Sequence, residues 1–310
     1  MVGAWSESAG SSDDVTRPAQ IEAALSFSGH LSVVVRSADA TLVTQVRQVF
    51  GAGQLPPLSS VRDEPTSVYE IDSPKPGLLK YTVWLDGVDV FEAGTGREVL
   101  WYLEGSITQL LNRRLTEFTL FHAGAVVYRG RTVLLPGASG SGKSTAVATL
   151  AMSGGEFYSD EIAVIDSSGR LCPYPRLIGL KQGGAGAIRS FFPLEMASGS
   201  VFKEALAPVT YVRPPNVPDL SERDRPRVDS IVLPRRAPDE EARLERVSRA
   251  TAISALAAQS LDLKVKHRRA MDTIVRIAKG AQCYALTVSD VRGVLRAIDA
   301  EFAAQAALRS

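Results

Sequence analysis

Cysteine is scarce in this chain. Among 310 residues only Cys172 and Cys283 occur, far apart and without a CxxC pair. Such spacing disfavours a structural disulfide or a zinc site. We therefore expect two reduced, buried thiols.

The chain also lacks an excess of charge of either sign and any long apolar run. Lys plus Arg total 35 and Asp plus Glu total 34, so no overall field recruits nucleic acid or a membrane surface. No run approaches the roughly 20 apolar residues of a membrane-spanning helix. The first residues lack the basic start and apolar core of a secretory signal. We expect a cytoplasmic protein with no nucleic-acid or membrane partner.

The most informative feature that is present is segment 133–145, with the sequence VLLPGASGSGKST. It contains the pattern G-x-x-x-x-G-K-[ST] between an apolar, strand-like run and an alanine-rich, helical run. In such a loop the backbone N–H groups point at phosphates, and the following helix presents its positive N-terminal end. A flexible Gly/Ser linker would leave the apolar run unexplained. The segment therefore predicts a nucleotide site.

This phosphate-binding loop, or P-loop, predicts a specific set of contacts. The residues predicted to bind the nucleotide are Gly137, Ala138, Ser139, Gly140, Ser141, Gly142, Lys143, Ser144 and Thr145. Lys143 is expected to reach the terminal phosphates, and the Ser144 hydroxyl is expected to ligate Mg²⁺. The predicted cofactors are ATP and Mg²⁺.

An acidic pair, Asp160 and Glu161, follows the P-loop helix by a single strand. A right-handed strand–helix–strand crossover predicts that this strand lies beside the P-loop strand, with both carboxylates at the same sheet edge as Lys143. Adjacent strand residues point to opposite faces. We therefore expect one carboxylate to hold the metal and the other to accept the proton of an attacking hydroxyl. The sequence does not decide which of the two residues holds the metal and which accepts the proton.

His122 begins the strand that precedes the P-loop strand. Pairing of 122–128 with 131–136 in a hairpin predicts that His122 lies close to the acidic pair, where its hydrogen bond would tune a carboxylate. The predicted catalytic residues are Asp160, Glu161, His122 and Lys143. One or two arginine or lysine side chains from later loop-rich segments are expected to clamp phosphate. The candidates are Arg176, Lys181, Arg189 and Arg213.

Hydrophobic periodicity predicts an α/β chain in three parts. Residues 1–18 are rich in Ser, Gly and Asp and predict a flexible tail, residues 19–115 a small α/β domain, and residues 116–310 the P-loop domain. The first domain is predicted to contain helices over 41–50 and 98–115, with a hairpin between strands 79–84 and 88–91. The second is predicted to end in helices over 248–261, over 267–279 and from 290.

Three segments together resemble the HPr kinase/phosphorylase family, and more closely its HPr-kinase-like relatives, over about residues 116–290. These are FHAGAVV from Phe121, GASGSGKS from Gly137 and the run Ser159-Asp-Glu161. The resemblance implies a mixed sheet like the nucleotide domain of phosphoenolpyruvate carboxykinase. It also implies Mg²⁺-dependent transfer of the γ-phosphoryl group of ATP to a hydroxyl, typically a serine of a peptide or protein, in some relatives within a biosynthetic or peptide-modification pathway. The family usually has two aspartates where this chain has Asp160-Glu161.

Three functions are consistent with these residues. The first is a kinase for a serine of a peptide or protein, with the N-terminal domain helping to dock it. The second is a small-molecule kinase, which predicts a closed pocket beside the γ-phosphate instead of an open groove. The third is an ATP-binding sensor or scaffold without transfer, which would not need the acidic pair. The acceptor and the existence of a homo-oligomer stay open.

Overall fold

The computed structural model describes residues 20–27, 31–50, 66–74, 80–174, 176–192, 201–203, 208–218 and 225–307. The predicted tail, 1–18, lies outside these residues. Within them the chain forms sixteen strands, arranged in three sheets, and seven helices. The prediction of an α/β chain is confirmed.

The first sheet has five strands in the order β1-β2-β3-β4-β5. They are β1 (Ile21–Phe27), β2 (Leu31–Ser37), β3 (Thr66–Asp72), β4 (Tyr81–Leu85) and β5 (Val88–Ala93). Asp86 and Gly87 join β4 to β5 with positive φ angles of 50° and 81°, as a two-residue hairpin turn requires. Helices α1 (Ala40–Phe50) and α2 (Gly96–Arg114) pack on this sheet. Thr95 and Glu98 form a capping box that starts α2.

The second sheet carries the P-loop. Its strand order is β10-β9-β6-β7-β14-β16-β15, and β8 also pairs with β6. The strands are β6 (Phe118–Tyr128), β7 (Arg131–Pro136), β8 (Glu156–Ser159), β9 (Ile162–Asp166), β10 (Leu171–Cys172), β14 (Ser230–Arg236), β15 (Leu244–Arg246) and β16 (Gln282–Val288). Because β7, β14 and β16 are parallel, their carboxyl ends meet at one edge of the sheet, where ligands of α/β proteins bind.

The acidic pair reaches this edge by a different route from the predicted one. Strand β8 does not lie beside β7, because β6 occupies that position and β14 covers the other side of β7. Instead, β8 and β9 run along the far side of β6, and Asp160 and Glu161 form the bend between them. Ala123 pairs with Pro136 on one side, and its N–H donates to the Glu161 carbonyl on the other. The P-loop, which follows Pro136, and the acidic pair therefore lie at the same edge of the sheet, on either side of Ala123.

Helix α3 (Lys143–Met152) packs directly on β6. The close approach depends on Gly124, since a Cβ atom there would lie 2.2 Å from Cγ2 of Val147. Any larger residue at position 124 would push the P-loop helix away from the sheet that positions it.

A third, small sheet and the remaining helices complete the described structure. The third sheet has the order β11-β13-β12, with strands β11 (Ile178–Lys181), β12 (Val201–Lys203) and β13 (Pro208–Val212). The other helices are α4 (Gln182–Phe191), α5 (Arg249–Gln259), α6 (Leu263–Gly280) and α7 (Val291–Ala307). Sequence periodicity missed α4, which falls in a segment predicted to be loop-rich. A non-helical φ of 30° at His267 kinks α6 where the predicted helix begins.

Both cysteines are buried thiols that are not part of a disulfide, as predicted. Among the helices of the described residues, none combines the length and the apolarity needed to cross a membrane.

Candidate functional site

The P-loop connects the end of β7 to the start of α3. Gly140 and Gly142 have positive φ angles of 84° and 91°, a region that favours glycine, and Gly142 is the N-cap of the helix. A Cβ atom on Gly142 would also lie 3.0 Å from Val288 at the end of β16. The two glycines therefore let the chain turn sharply enough for the N–H groups of the first helical turn to face outward from the sheet edge.

Two buried ionisable groups near this loop each have a polar atom without a hydrogen-bond partner. Lys143 is 5% exposed and Asp160 is 2% exposed, yet Nζ of the first and Oδ1 of the second have no partner. Asp160 Oδ2 accepts a hydrogen bond from the Gly179 N–H at 3.0 Å. Burial lowers the pKa of Lys143 and raises that of Asp160, although each group opposes the shift of the other. Buried polar atoms are nearly always paired, so these two indicate a ligand.

Glu161 lies against His122, as the sequence predicted. His122 Nε2 is 3.2 Å from Glu161 Oε1, and His122 Nδ1 is 3.1 Å from Oε1 of Gln259 at the end of α5. Burial raises the pKa of Glu161, but the hydrogen bond from His122 and the charges of Arg176 and Lys143 outweigh it. The pKa is therefore lowered from 4.5 to about 2. Glu161 is an ionised, oriented carboxylate at neutral pH.

Arg176 connects Glu161 to the N-terminal half of the chain. Its Nη2 donates to Glu104 Oε2 on α2 at 2.9 Å, and its Nη1 lies 3.6 Å from Glu161 Oε2. The Tyr211 hydroxyl donates to the other oxygen of Glu104, and the guanidinium lies over the Tyr211 ring. Burial lowers the pKa of Arg176, but Glu104, Tyr211 and Glu161 raise it well above its ordinary value. The Arg176 guanidinium therefore stays protonated, with Glu104 on one side and Glu161 on the other.

A cavity of about 330 Å³ lies at the P-loop, and we call it the phosphate cavity. It is lined by Lys143, Ser144 and Thr145, by Glu161 and Arg176, and by the start of α4. Just before α4, Lys181 Nζ donates to Ser139 Oγ at 2.8 Å. The volume lies in the range of small-ligand sites.

Not every predicted phosphate clamp lines this cavity. Arg176 and Lys181 do, whereas Arg189 and Arg213 do not. Arg189 is an exposed residue in the last turn of α4, and Arg213 is exposed beyond the end of β13. Arg236, at the carboxyl end of β14, lines the cavity and was not predicted.

The donor set suits Mg²⁺ held partly by phosphate. Among the described residues there is no group of three or more His, Cys, Asp or Glu side chains that could hold a metal alone. Mg²⁺ is usually bound by one or two carboxylates together with substrate phosphates and water. Ser144 and Glu161 line the phosphate cavity, and the adjacent Asp160 has an unpartnered Oδ1, so these three oxygen donors fit that mode.

A second cavity of about 610 Å³ adjoins the first, and we call it the α2 cleft. His122, Glu161 and Arg176 line both cavities. The other wall of the cleft is the exposed face of α2, from Trp101 to Gln109, and Leu261 closes its end. Asp160 lines neither cavity, so the two members of the acidic pair face different surroundings.

The structure brings most predicted site residues together and adds others. Of the P-loop residues, Gly137 and Ser141 lie behind the cavity wall, and the rest line it. Glu104, Tyr211 and Gln259 were not predicted, because each comes from an element far from the motif in sequence. No local pattern marks them; only the fold shows that they contact Arg176 and His122.

No protein-family model matches the chain, and no curated protein matches it either. The likeness to HPr-kinase-like proteins therefore stays a prediction from the three sequence segments.

Proposed function

We propose that this protein is an ATP-dependent kinase that transfers the γ-phosphoryl group to a hydroxyl of its acceptor. The observation that carries the proposal is the pair of buried, unpartnered groups beneath the P-loop, Lys143 Nζ and Asp160 Oδ1. Leaving such groups unpaired costs stability in the free protein, and such costs are concentrated at functional sites. A polyphosphate with its metal would satisfy both.

The P-loop residues would bind the phosphates of ATP. The outward N–H groups at the start of α3 and the Lys143 ammonium supply positive charge, and Arg176, Lys181 and Arg236 add more around the cavity. Ser144 and Asp160 would hold Mg²⁺, which neutralises charge on the phosphates when bound. The fold implied is that of the HPr-kinase-like proteins.

Glu161 is the better candidate for the group that receives the acceptor hydroxyl. It lines both cavities, whereas Asp160 is buried and lines neither. In the transfer step the acceptor oxygen bonds to the γ-phosphorus, and the bond from that phosphorus to the β,γ-bridging oxygen breaks. ADP leaves with that electron pair, and the hydroxyl proton passes to Glu161. The contacts of Glu161 with His122 and Arg176 leave lone pairs free to accept this proton.

The test compares ATP binding, ATP hydrolysis and phosphoryl transfer in the wild type, Asp160→Asn and Glu161→Gln. We expect the wild type to bind Mg²⁺-ATP and to hydrolyse it slowly without an acceptor. Asp160→Asn should raise the Mg²⁺ concentration needed for half-maximal hydrolysis. Glu161→Gln should lower turnover with its Mg²⁺ dependence unchanged.

Two outcomes would contradict the proposal. If ATP binds but no protein, peptide or metabolite pool accepts label from it, the protein is a sensor or scaffold and not a kinase. If Glu161→Gln raises the Mg²⁺ concentration needed for half-maximal hydrolysis and Asp160→Asn does not, the roles assigned to the two carboxylates are wrong.

A further inference from the structure

The α2 cleft begins where the phosphate cavity ends. Glu161 lies at the junction, with His122 beside it and Arg176 opposite. An acceptor must bring its hydroxyl to the γ-phosphate from the side that the nucleotide does not fill. If the proposed kinase function holds, the α2 cleft is therefore the approach open to the acceptor among the described residues.

The carboxylates of the cleft are already bound. Glu104 is bound by Arg176 and Tyr211, and Glu161 is bound by His122 and Arg176. The other side chains that line the cleft include aromatic, hydroxyl, amide and aliphatic groups. These are Trp101, Tyr102, Ser106, Thr108, Gln109 and Leu261. A small charged metabolite would find no unbound carboxylate here, and no basic side chain besides Arg176 and His122, which both contact Glu161.

Two features of α2 are suited to binding an extended polypeptide segment. Trp101 lines the cleft and is 62% exposed, whereas tryptophan is highly buried on average in folded proteins. One turn later, Gly105 presents bare backbone, and a Cβ atom there would meet nothing within 4 Å. Glycine in a helix interior is destabilising relative to alanine. No packing constraint in the free protein explains its presence at this position.

We propose that the α2 cleft binds a polypeptide segment that carries the acceptor hydroxyl. Gly105 lets the backbone of that segment approach α2, and Trp101 packs on an apolar side chain a few residues from the phosphorylated one. Aromatic anchors with a surrounding polar rim are typical of peptide and protein interfaces. The N-terminal unit, which comprises the first sheet with α1 and α2, thereby binds the substrate. It contacts the active site through the ion pair of Glu104 with Arg176.

The experiment uses the full chain, Mg²⁺-ATP and a synthetic peptide library with one fixed serine and randomised flanking positions. Phosphorylated peptides are identified by mass spectrometry. The variants are Gly105→Leu, which fills the cleft, and Trp101→Ala. Gly105→Ala and Trp101→Phe are the matched controls, since they keep the cleft open and the aromatic ring in place. ATP affinity and acceptor-free hydrolysis are measured for every protein.

We expect the wild type to prefer an apolar residue at one position near the serine. Gly105→Leu and Trp101→Ala should lower phosphorylation at least tenfold, and Trp101→Ala should abolish the apolar preference. The controls should retain most of the activity. ATP affinity and hydrolysis should be unchanged in all four variants, because none of the altered side chains lines the phosphate cavity.

Two results would overturn the inference and leave the proposed function standing. One is peptide phosphorylation that Gly105→Leu and Trp101→Ala do not change. The other is ATP hydrolysis by a wild type that phosphorylates no library member, which would exclude a peptide acceptor. Failure of the wild type to bind ATP would instead overturn the proposed function, and the inference with it.

Discussion

The two cavities of the site are built in opposite ways. The phosphate cavity is built around one continuous segment, 137–145, whose backbone geometry is set by its own glycines. The α2 cleft is assembled from α2, from β6 and from residues 161, 162, 174, 176 and 261, which come together only in the folded chain. The first can therefore be recognised from sequence. The second can be recognised only from structure.

This difference predicts the order of the effects of substitution. Lys143→Met removes the buried cation at the centre of the phosphate cavity, so ATP affinity and turnover should both fall. We expect turnover to fall about 10²–10³-fold, the usual effect of removing one group that stabilises transition-state charge. Steady-state kinetics and calorimetric titration with ATP measure the two losses. Unchanged ATP affinity in this variant would place the phosphates elsewhere.

Glu104→Gln tests the link between the two cavities. Arg176 would lose its closest carboxylate partner, which it meets at 2.9 Å, and would move relative to Glu161. We expect turnover to fall about tenfold, because small displacements near reacting atoms are costly, while ATP affinity changes little. The free energy of unfolding should fall by about 1–3 kcal/mol, as for other hydrogen bonds to charged groups.

The matched control for this variant is Glu92→Gln, which breaks an exposed ion pair on the sheet that α2 packs against, at 3.1 Å from Lys80. An exposed pair contributes about 0–1 kcal/mol, so stability and turnover should both stay close to those of the wild type. Equal effects of the two variants on turnover would mean that Glu104 acts only through the general stability of the N-terminal unit.

Asp160→Asn should stabilise the free protein while it impairs Mg²⁺ binding. Burial raises the pKa of Asp160 above its ordinary value of 3.8, so folding disfavours the ionised form and the penalty grows as pH rises above that value. We expect the melting temperature to rise by roughly 2–4 °C at pH 8, and by less at pH 5. Thermal unfolding across this range measures the difference. If Asp160→Asn melts below the wild type at pH 8, burial of the ionised Asp160 carboxylate does not destabilise the free protein.

Glu161→Gln should show the opposite dependence on pH. The pKa of Glu161 is lowered to about 2, so its ionised form stabilises the fold above the ordinary value of 4.5. That contribution is lost only as pH falls from 4.5 towards 2. The wild type should therefore be more stable than the variant by a constant amount between pH 5 and 8, and by less below pH 4.5. Denaturant unfolding at several pH values measures this, and a difference that shrinks above pH 5 would contradict it.

The contrast between a continuous segment and an assembled cleft also explains which features could be predicted from the sequence. The hairpin register that pairs Ala123 with Pro136 was predictable, and so was the position of His122 at this sheet edge. Its contact with Glu161 in particular comes from the pairing of β9 with β6, in which His122 is opposite Ile162. The place of β8 was not, because the crossover rule applies to parallel neighbours and β6 forms an antiparallel pair on that side of β7. The role of Glu104 was not predictable either. Its contact with Arg176 spans 72 residues, and only the packing of the two sheets creates it.

The most direct test of the central claim is a crystal structure of the full chain with Mg²⁺ and a non-hydrolysable ATP analogue. The account predicts the β- and γ-phosphates against the backbone N–H groups of the P-loop, with Lys143 Nζ on a phosphate oxygen and Asp160 Oδ1 engaged through the metal. It also predicts that the γ-phosphate faces Glu161 and the α2 cleft. Phosphates bound elsewhere, or Lys143 and Asp160 still without partners, would contradict it.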